Sequence, residues 1–133
     1  MKYMLDTNIC IYIIKEKPPI VLDRFKENYR KGLCISSVTL AELAHGVEKS
    51  ASREKNALML KRLIEFLPVI PFDDAASYEY GKICAYLQKQ GTPIGQMDML
   101  IAAHAKVNYL TLVTNNTREF LRVPGLDVEN WYE

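Results

Sequence analysis

The sequence predicts an α/β protein: a three-layer α/β/α sandwich on a central, mainly parallel sheet of four to five strands. Three observations carry that prediction. Short apolar runs of strand character alternate with amphipathic stretches at helical spacing along the whole chain. The boundaries between them fall at Pro18-Pro19, Gly32, Ser36-Ser37, Asp73-Asp74, Gly91 and Gly95, residues that cap, open or end helices. No repeat, low-complexity stretch or linker-like segment interrupts the alternation, so residues 1–133 read as a single domain.

The elements follow in order. Lys2 to Leu5 is a strand, and Thr7 or Asn8 can cap a helix from Ile9 to about Glu16. Pro18-Pro19 stops that helix and starts another, whose apolar stripe is Val21, Leu22, Phe25 and Tyr29. Leu33-Cys34-Ile35 is a buried strand, followed by a helix from about Val38 to Lys49 and a longer one from Ser52 to Leu67. Val69-Ile70 is a third strand. Asp73 or Asp74 caps a helix that runs to Gln90 and closes at Gly91. Gly95 and Gln96 open the next, through about Lys106. Tyr109 to Val113 is a strand, then come a polar loop, a single turn near Arg118 to Leu121, and a last strand around Leu126 to Val128. In open parallel sheets, sites gather at the carboxyl ends of strands, where strand order reverses. That rule singles out Asp6, Ser36-Ser37 and Thr114-Asn115-Asn116.

Composition sets bounds. The chain is 49% hydrophobic and 25% charged, ordinary for a globular protein, with a net charge of only +1. Bulk electrostatic coating of nucleic acid would call for more positive charge. Its distribution matters more: Lys15, Lys17, Arg24, Lys26, Arg30 and Lys31 form one group, and Lys49, Arg53, Lys55, Lys61 and Arg62 another. These are either solvated helix faces or basic rims where phosphates dock. No apolar run is long enough to cross a bilayer, and Asp6 comes too early for a signal peptide's apolar segment. The expected location is cytoplasmic. Cys10, Cys34 and Cys84 lie far apart among apolar neighbours and are expected to be buried hydrophobes rather than disulfide or zinc ligands.

Three acids do not fit a purely structural role. Asp6 stands between an apolar strand and an apolar helix, where Thr7 or Asn8 could do the capping. Asp98 shares its helix face with Ile101, Ala102 and Ala105, a small-residue stripe that packs on a sheet and where an unpaired carboxylate is costly. Complementing a positive helix N-terminus is the alternative for Asp98. Glu42 has a capping-box position three residues after Thr39 as its alternative, and follows the second strand toward the same edge as Asp6. Acids from separate elements repel one another unless a cation joins them. Oxygen-only ligands suit magnesium or manganese rather than zinc, and such a site can activate water against a phosphodiester.

The segments Leu5-Asp6-Thr7-Asn8, Ile35-Ser36-Ser37-Val38-Thr39-Leu40-Ala41-Glu42-Leu43, Gly91-Thr92-Pro93-Ile94-Gly95 through Asp98 to Ala105, and Leu112-Val113-Thr114-Asn115-Asn116 through Glu119-Phe120 resemble, in this order, the motifs of PIN-domain ribonucleases. The resemblance spans nearly the whole chain and is closest to the VapC toxins of bacterial type II toxin–antitoxin pairs. It implies an Mg2+-dependent (or Mn2+-dependent) endoribonuclease with Asp6, Glu42 and Asp98 as catalytic metal-binding acids. Asn8, Thr114 and Asn116 would orient ligands or substrate phosphate. Where many relatives carry a further Asp after the fourth strand, this chain has Asn115 and Asn116, and Glu119 is the nearest acid for a fourth ligand. The family's water attack leaves 5′-phosphate and 3′-hydroxyl ends on structured RNA, with tRNA, and initiator tRNA in particular, the implied target. The resemblance further implies a homodimer and a higher hetero-oligomer with a VapB-like antitoxin, which would bind a groove of the early helices lined by Ile11, Ile14, Val21, Phe25, Leu60 and Ile64. Operator DNA would be reached only through the antitoxin.

Two rivals come from other classes. A metal-free ribonuclease would use His45 and His104, the only two histidines, as general base and acid. A receiver-like signalling module would want adjacent acids after the first strand, a phosphorylated Asp after a middle strand and a Lys after a late one. The chain offers one acid, Ser36-Ser37 and Asn115-Asn116 at those places.

Overall fold

The computed structural model describes all residues from Met1 to Glu133. Its five strands are β1 (Tyr3–Leu5), β2 (Leu33–Ser36), β3 (Val69–Ile70), β4 (Thr111–Val113) and β5 (Val128–Glu129). They form one sheet in the order β3-β2-β1-β4-β5, and every pairing is parallel, with Tyr3 opposite both Leu33 and Thr111. Strand order therefore reverses at β1. The helices are α1 (Thr7–Lys15), α2 (Pro19–Asn28), α3 (Ser37–Glu48), α4 (Arg53–Phe66), α5 (Asp74–Gln90), α6 (Gln96–Val107) and the single-turn α7 (Thr117–Phe120).

Side chains alternate across a strand, and here each face of the sheet has its own core. Met4, Cys34 and Leu112 meet Ile83 and Leu87 of α5 and Ile101, Ala102 and Ala105 of α6. Tyr3, Leu5, Ile35 and Val113 meet Ile9 and Ile13 of α1, Leu43 of α3 and Leu63 of α4. Each such aliphatic side chain contributes on the order of 1.5–3 kcal/mol by leaving water. The central strands are buried on both faces, which is why they read as continuous apolar runs rather than as alternation.

Several boundaries differ from the sequence expectation. The first helix starts at Thr7, not Ile9, because Asp6 rather than Thr7 or Asn8 is its N-cap. The second site helix starts at Ser37 with Ser36 as cap. Tyr109 is not strand: it turns off α6 with φ +57° and is 95% exposed, so β4 begins only at Thr111. The last strand is shifted to Val128–Glu129, beyond a turn at Gly125. Cys10 and Cys34 are buried as expected, whereas Cys84 is half-buried beside Met99.

Gly32 is the one turn residue with no substitute. It has φ +92°, and a Cβ there would lie 2.7 Å from the Met1 Cα. Gly32→Ala is expected to destabilise the fold by about 1–3 kcal/mol. An unchanged urea midpoint would refute this.

Candidate metal centre

Parallel topology brings the carboxyl ends of β1, β2 and β4 to one edge, and the acids stand there. Asp6 leaves β1 with extended backbone, and its Oδ1 accepts from the Ile9 N–H at 2.9 Å. It is only 4% exposed. The capping alternative for Asp6 is thus real, but it occupies one oxygen. The Thr114 hydroxyl, in the loop after β4, also faces this carboxyl; Thr114 Oγ1 accepts from the Asn116 N–H at 2.9 Å, which leaves its proton for Asp6. Burial pushes the Asp6 pKa up to about 6 from an ordinary 3.8, against the lowering effect of Thr114 and Ile9; Asp98 and Glu42 raise it further by charge.

Asp98 sits in the first turn of α6, half-buried. Its pKa is raised by burial first, then by Glu119 and Glu42. A Cβ on Gly95 would lie 3.4 Å from Asp98 Oδ2, so the glycine leaves that carboxylate open. Glu42 lies in the second turn of α3. With Ser36 as cap, the capping-box position belongs to Thr39, so Glu42 has no capping role. Its Oε1 instead accepts from Thr7 Oγ1 at 2.6 Å. Glu119, on α7, accepts from Asn116 Nδ2 at 3.0 Å. Asn8 is exposed in the first turn of α1.

The four acids therefore come from four separate elements and sense one another, yet none pairs with a Lys or Arg side chain. The two ion pairs of the protein are Arg53–Glu48 and Lys106–Glu79. No three acids close to ligand distance by themselves. An open, all-oxygen set with unbalanced negative charge fits a hard, partly hydrated cation such as Mg2+, which keeps several of its waters. Asn115 adds a buried Oδ1 without a partner in the same loop, while its Nδ2 donates to the Tyr12 hydroxyl at 3.1 Å.

Sequence reasoning missed two of these contributors. Thr7 or Asn8 was expected to cap α1, whereas Asp6 caps it and Thr7 serves Glu42; of the loop pair Asn115-Asn116, only Asn116 was given a role. Only the spacing Asp6-Thr7, one residue along a helix start, hinted at the first. The histidine rival does not survive the geometry. His45 is exposed on α3, whereas His104 is fully buried in α6, where no RNA 2′-hydroxyl can reach it.

Beside Glu42 runs a groove of about 670 Å³ between α1, α3 and α4. Ile11, Ile14 and Leu60 line it as expected, with Lys15, Lys17 and Lys55 at its rim. The other three expected residues do not. Val21 is fully buried in the core, and Phe25 and Ile64 pack against that core rather than onto the groove.

Comparisons with known proteins agree with this architecture. The PIN domain profile matches residues 3–126. The chain is 50% identical over 131 residues to a tRNA(fMet)-specific endonuclease VapC of Shigella flexneri, covering 98% of both. It is 47% identical to ribonuclease VapC2 of Haemophilus influenzae, again over 98% of both. The crystal structure of VapBC2 from Rickettsia felis, bound to a promoter DNA fragment, superposes with a TM-score of 0.93 at 41% identity, covering 98% of this chain and 99% of that one. PIN-domain nucleases generally depend on divalent metal. No helix here is long and apolar enough to cross a membrane. A profile match over nearly the whole chain, together with relatives of about half identity along their full length, means that the chain belongs to the PIN-domain family and, within it, to the VapC ribonucleases.

Proposed function

We propose that this protein is the toxin of a type II toxin–antitoxin pair, an Mg2+-dependent endoribonuclease that inhibits translation by cutting tRNA, with initiator tRNA as its target. The observation that carries the catalytic part is the set of four carboxylates, Asp6, Glu42, Asp98 and Glu119, gathered at the switch point of the sheet without a cationic side-chain partner. Asp6, Glu42 and Asp98 hold the metal, with Glu119 as fourth ligand; Mn2+ can replace Mg2+. The bound ion supplies positive charge for the phosphodiester in its transition state and acidifies a water.

The protein's own residues do the rest. Thr114 and the Ile9 N–H fix the Asp6 carboxyl, Thr7 fixes Glu42, and Asn116 fixes Glu119. Asn8 is exposed beside the Asp6 cap, and in this reading it meets a substrate phosphate. The choice of initiator tRNA is supported by the likeness to the tRNA(fMet)-specific endonuclease of Shigella flexneri. The apolar groove beside Glu42, with its lysine rim, suits a segment of a VapB-like antitoxin that carries apolar and acidic side chains. The promoter-bound VapBC2 complex supports operator contact through that partner, and a toxin homodimer within a higher hetero-oligomer belongs to this reading.

Incubating the purified protein with total tRNA tests the reading. Cleavage should require Mg2+, stop with EDTA, and leave 5′-phosphate and 3′-hydroxyl ends. EDTA-resistant cleavage leaving 2′,3′-cyclic phosphates would overturn it.

A further inference from the structure

His104 and Ser36 are polar, fully buried, and outside the carboxylate cluster. Ser36 is the N-cap of α3: its Oγ accepts from the Val38 N–H at 3.0 Å. The same oxygen lies 2.8 Å from His104 Nδ1, in the last turn of α6. This is the one side-chain hydrogen bond between α6 and the corner where β2 turns into α3. The helices it joins are the two that carry Glu42 and Asp98.

The direction of the bond follows from its surroundings. His104 Nε2 is buried without a hydrogen-bond partner, and the Pro71 backbone carbonyl, which can only accept, lies against the ring. We assign the ring proton to Nε2, the nitrogen left once Nδ1 meets Ser36, so that Nδ1 accepts from the Ser36 hydroxyl. Ser36 is thereby used in both senses, receiving the Val38 N–H and donating to His104. The ring is locked in orientation by the edge of Phe72, 5.4 Å between centroids, and the Phe72 N–H in turn donates to Ser37 Oγ at 2.9 Å. A buried ring held at Nδ1 and against Phe72 allows little play between the helices it connects.

We propose that the Ser36–His104 hydrogen bond is a positioning link for the metal centre, setting the Glu42 helix against the Asp98 helix so that the two carboxylates stand at the separation the ion requires. The proposal rests on Glu42 and Asp98 being metal ligands. Ligand geometry must hold within about half an ångström, and outer partners that orient ligands typically carry about 10–100-fold in metal affinity.

Mn2+ binding to the RNA-free protein, followed by the paramagnetic resonance of the free ion, reads the link directly. His104→Leu removes the acceptor, whereas His104→Asn keeps an acceptor at the place of Nδ1; both lose the ring contact with Phe72. Mn2+ affinity should fall about tenfold in His104→Leu and stay within about twofold of wild type in His104→Asn. Thermal melts in EDTA should be lowered alike in both. Wild-type affinity in His104→Leu, or an equal loss in His104→Asn, overturns the link. Glu42→Gln serves as the control: if it binds Mn2+ as wild type does, the ligand assignment fails rather than the link. Should His104→Leu not fold, Ser36→Ala removes the same bond from its other side: an Mn2+ affinity within about twofold of wild type there overturns the link, and a loss of about tenfold supports it.

Discussion

Replacing Asp6 by Asn is expected to abolish cleavage and, at the same time, to stabilise the metal-free protein at neutral pH. The reason is the burial that raises its pKa to about 6 from 3.8. Below pH 4 the carboxyl is protonated in both folded and unfolded chains. Between the two values the folded chain holds a proton that the unfolded chain has lost, so stability falls as pH rises through this window. Above pH 6 the full cost remains, about 3 kcal/mol from the shift of about two units. Asn keeps an oxygen for the Ile9 N–H and the Thr114 hydroxyl, and needs no ionisation. Desolvation of its amide offsets part of the gain, leaving about 2 kcal/mol, or roughly 6–10 °C in melting temperature. Melts in EDTA at pH 7.5 and pH 4 check this: the variant should melt higher at the first and alike at the second. Mg2+ should raise the melting point of wild type and leave that of Asp6→Asn unmoved. A variant less stable than wild type at pH 7.5 would sink the reading of Asp6 as an acid held ionised at a cost.

Asp98→Asn should reduce tRNA cleavage by more than about 100-fold with the fold intact, the scale of losing one preorganised electrostatic contact to the transition state. Asp98 is the acid that feels both Glu119 and Glu42, so its removal breaks the centre of the cluster. Glu119→Gln should act differently. Asn116 already holds Glu119, and the expected effect is a higher Mg2+ requirement, about tenfold, with most of the rate recovered at saturating metal. Single-turnover cleavage across a Mg2+ series separates the two. Equal cleavage by wild type and Asp98→Asn would refute the metal centre, and an unchanged Mg2+ dependence in Glu119→Gln would remove the fourth ligand.

Much of this was legible in the chain itself. Asp98 stood out because a carboxylate on the stripe of Ile101, Ala102 and Ala105 is costly, and all three of those residues are indeed buried, although its place in the first turn of α6 also lets it complement the helix N-terminus. Asp6 stood out by its place between strand and helix, although its capping role proved real. Glu42 was less legible, since its distance from Thr39 mimicked a capping box. Only the actual start of α3, set by the bond of Ser36 to Val38, removes that reading. Glu119 and Asn116 were contested because a loop after a strand has no periodicity to say which side chain turns inward.

The sequence by itself determined the class of fold, the order of its elements and the sheet edge beside which Asp6, Glu42 and Asp98 stand. Those features rest on local rules: apolar periodicity, capping and breaking residues, and the placing of strand ends in a parallel sheet. Tertiary structure decided the rest. That Thr7 serves Glu42 across 35 positions, that Thr114 serves Asp6, and that His104 meets Ser36 across 68 positions are facts of packing between elements remote in sequence. So is the division of Ile11, Ile14 and Leu60 from Val21, which an amphipathic stripe alone leaves together. Periodicity says which face of a helix is apolar. Only the neighbouring helix decides which part of that face becomes core and which remains a groove.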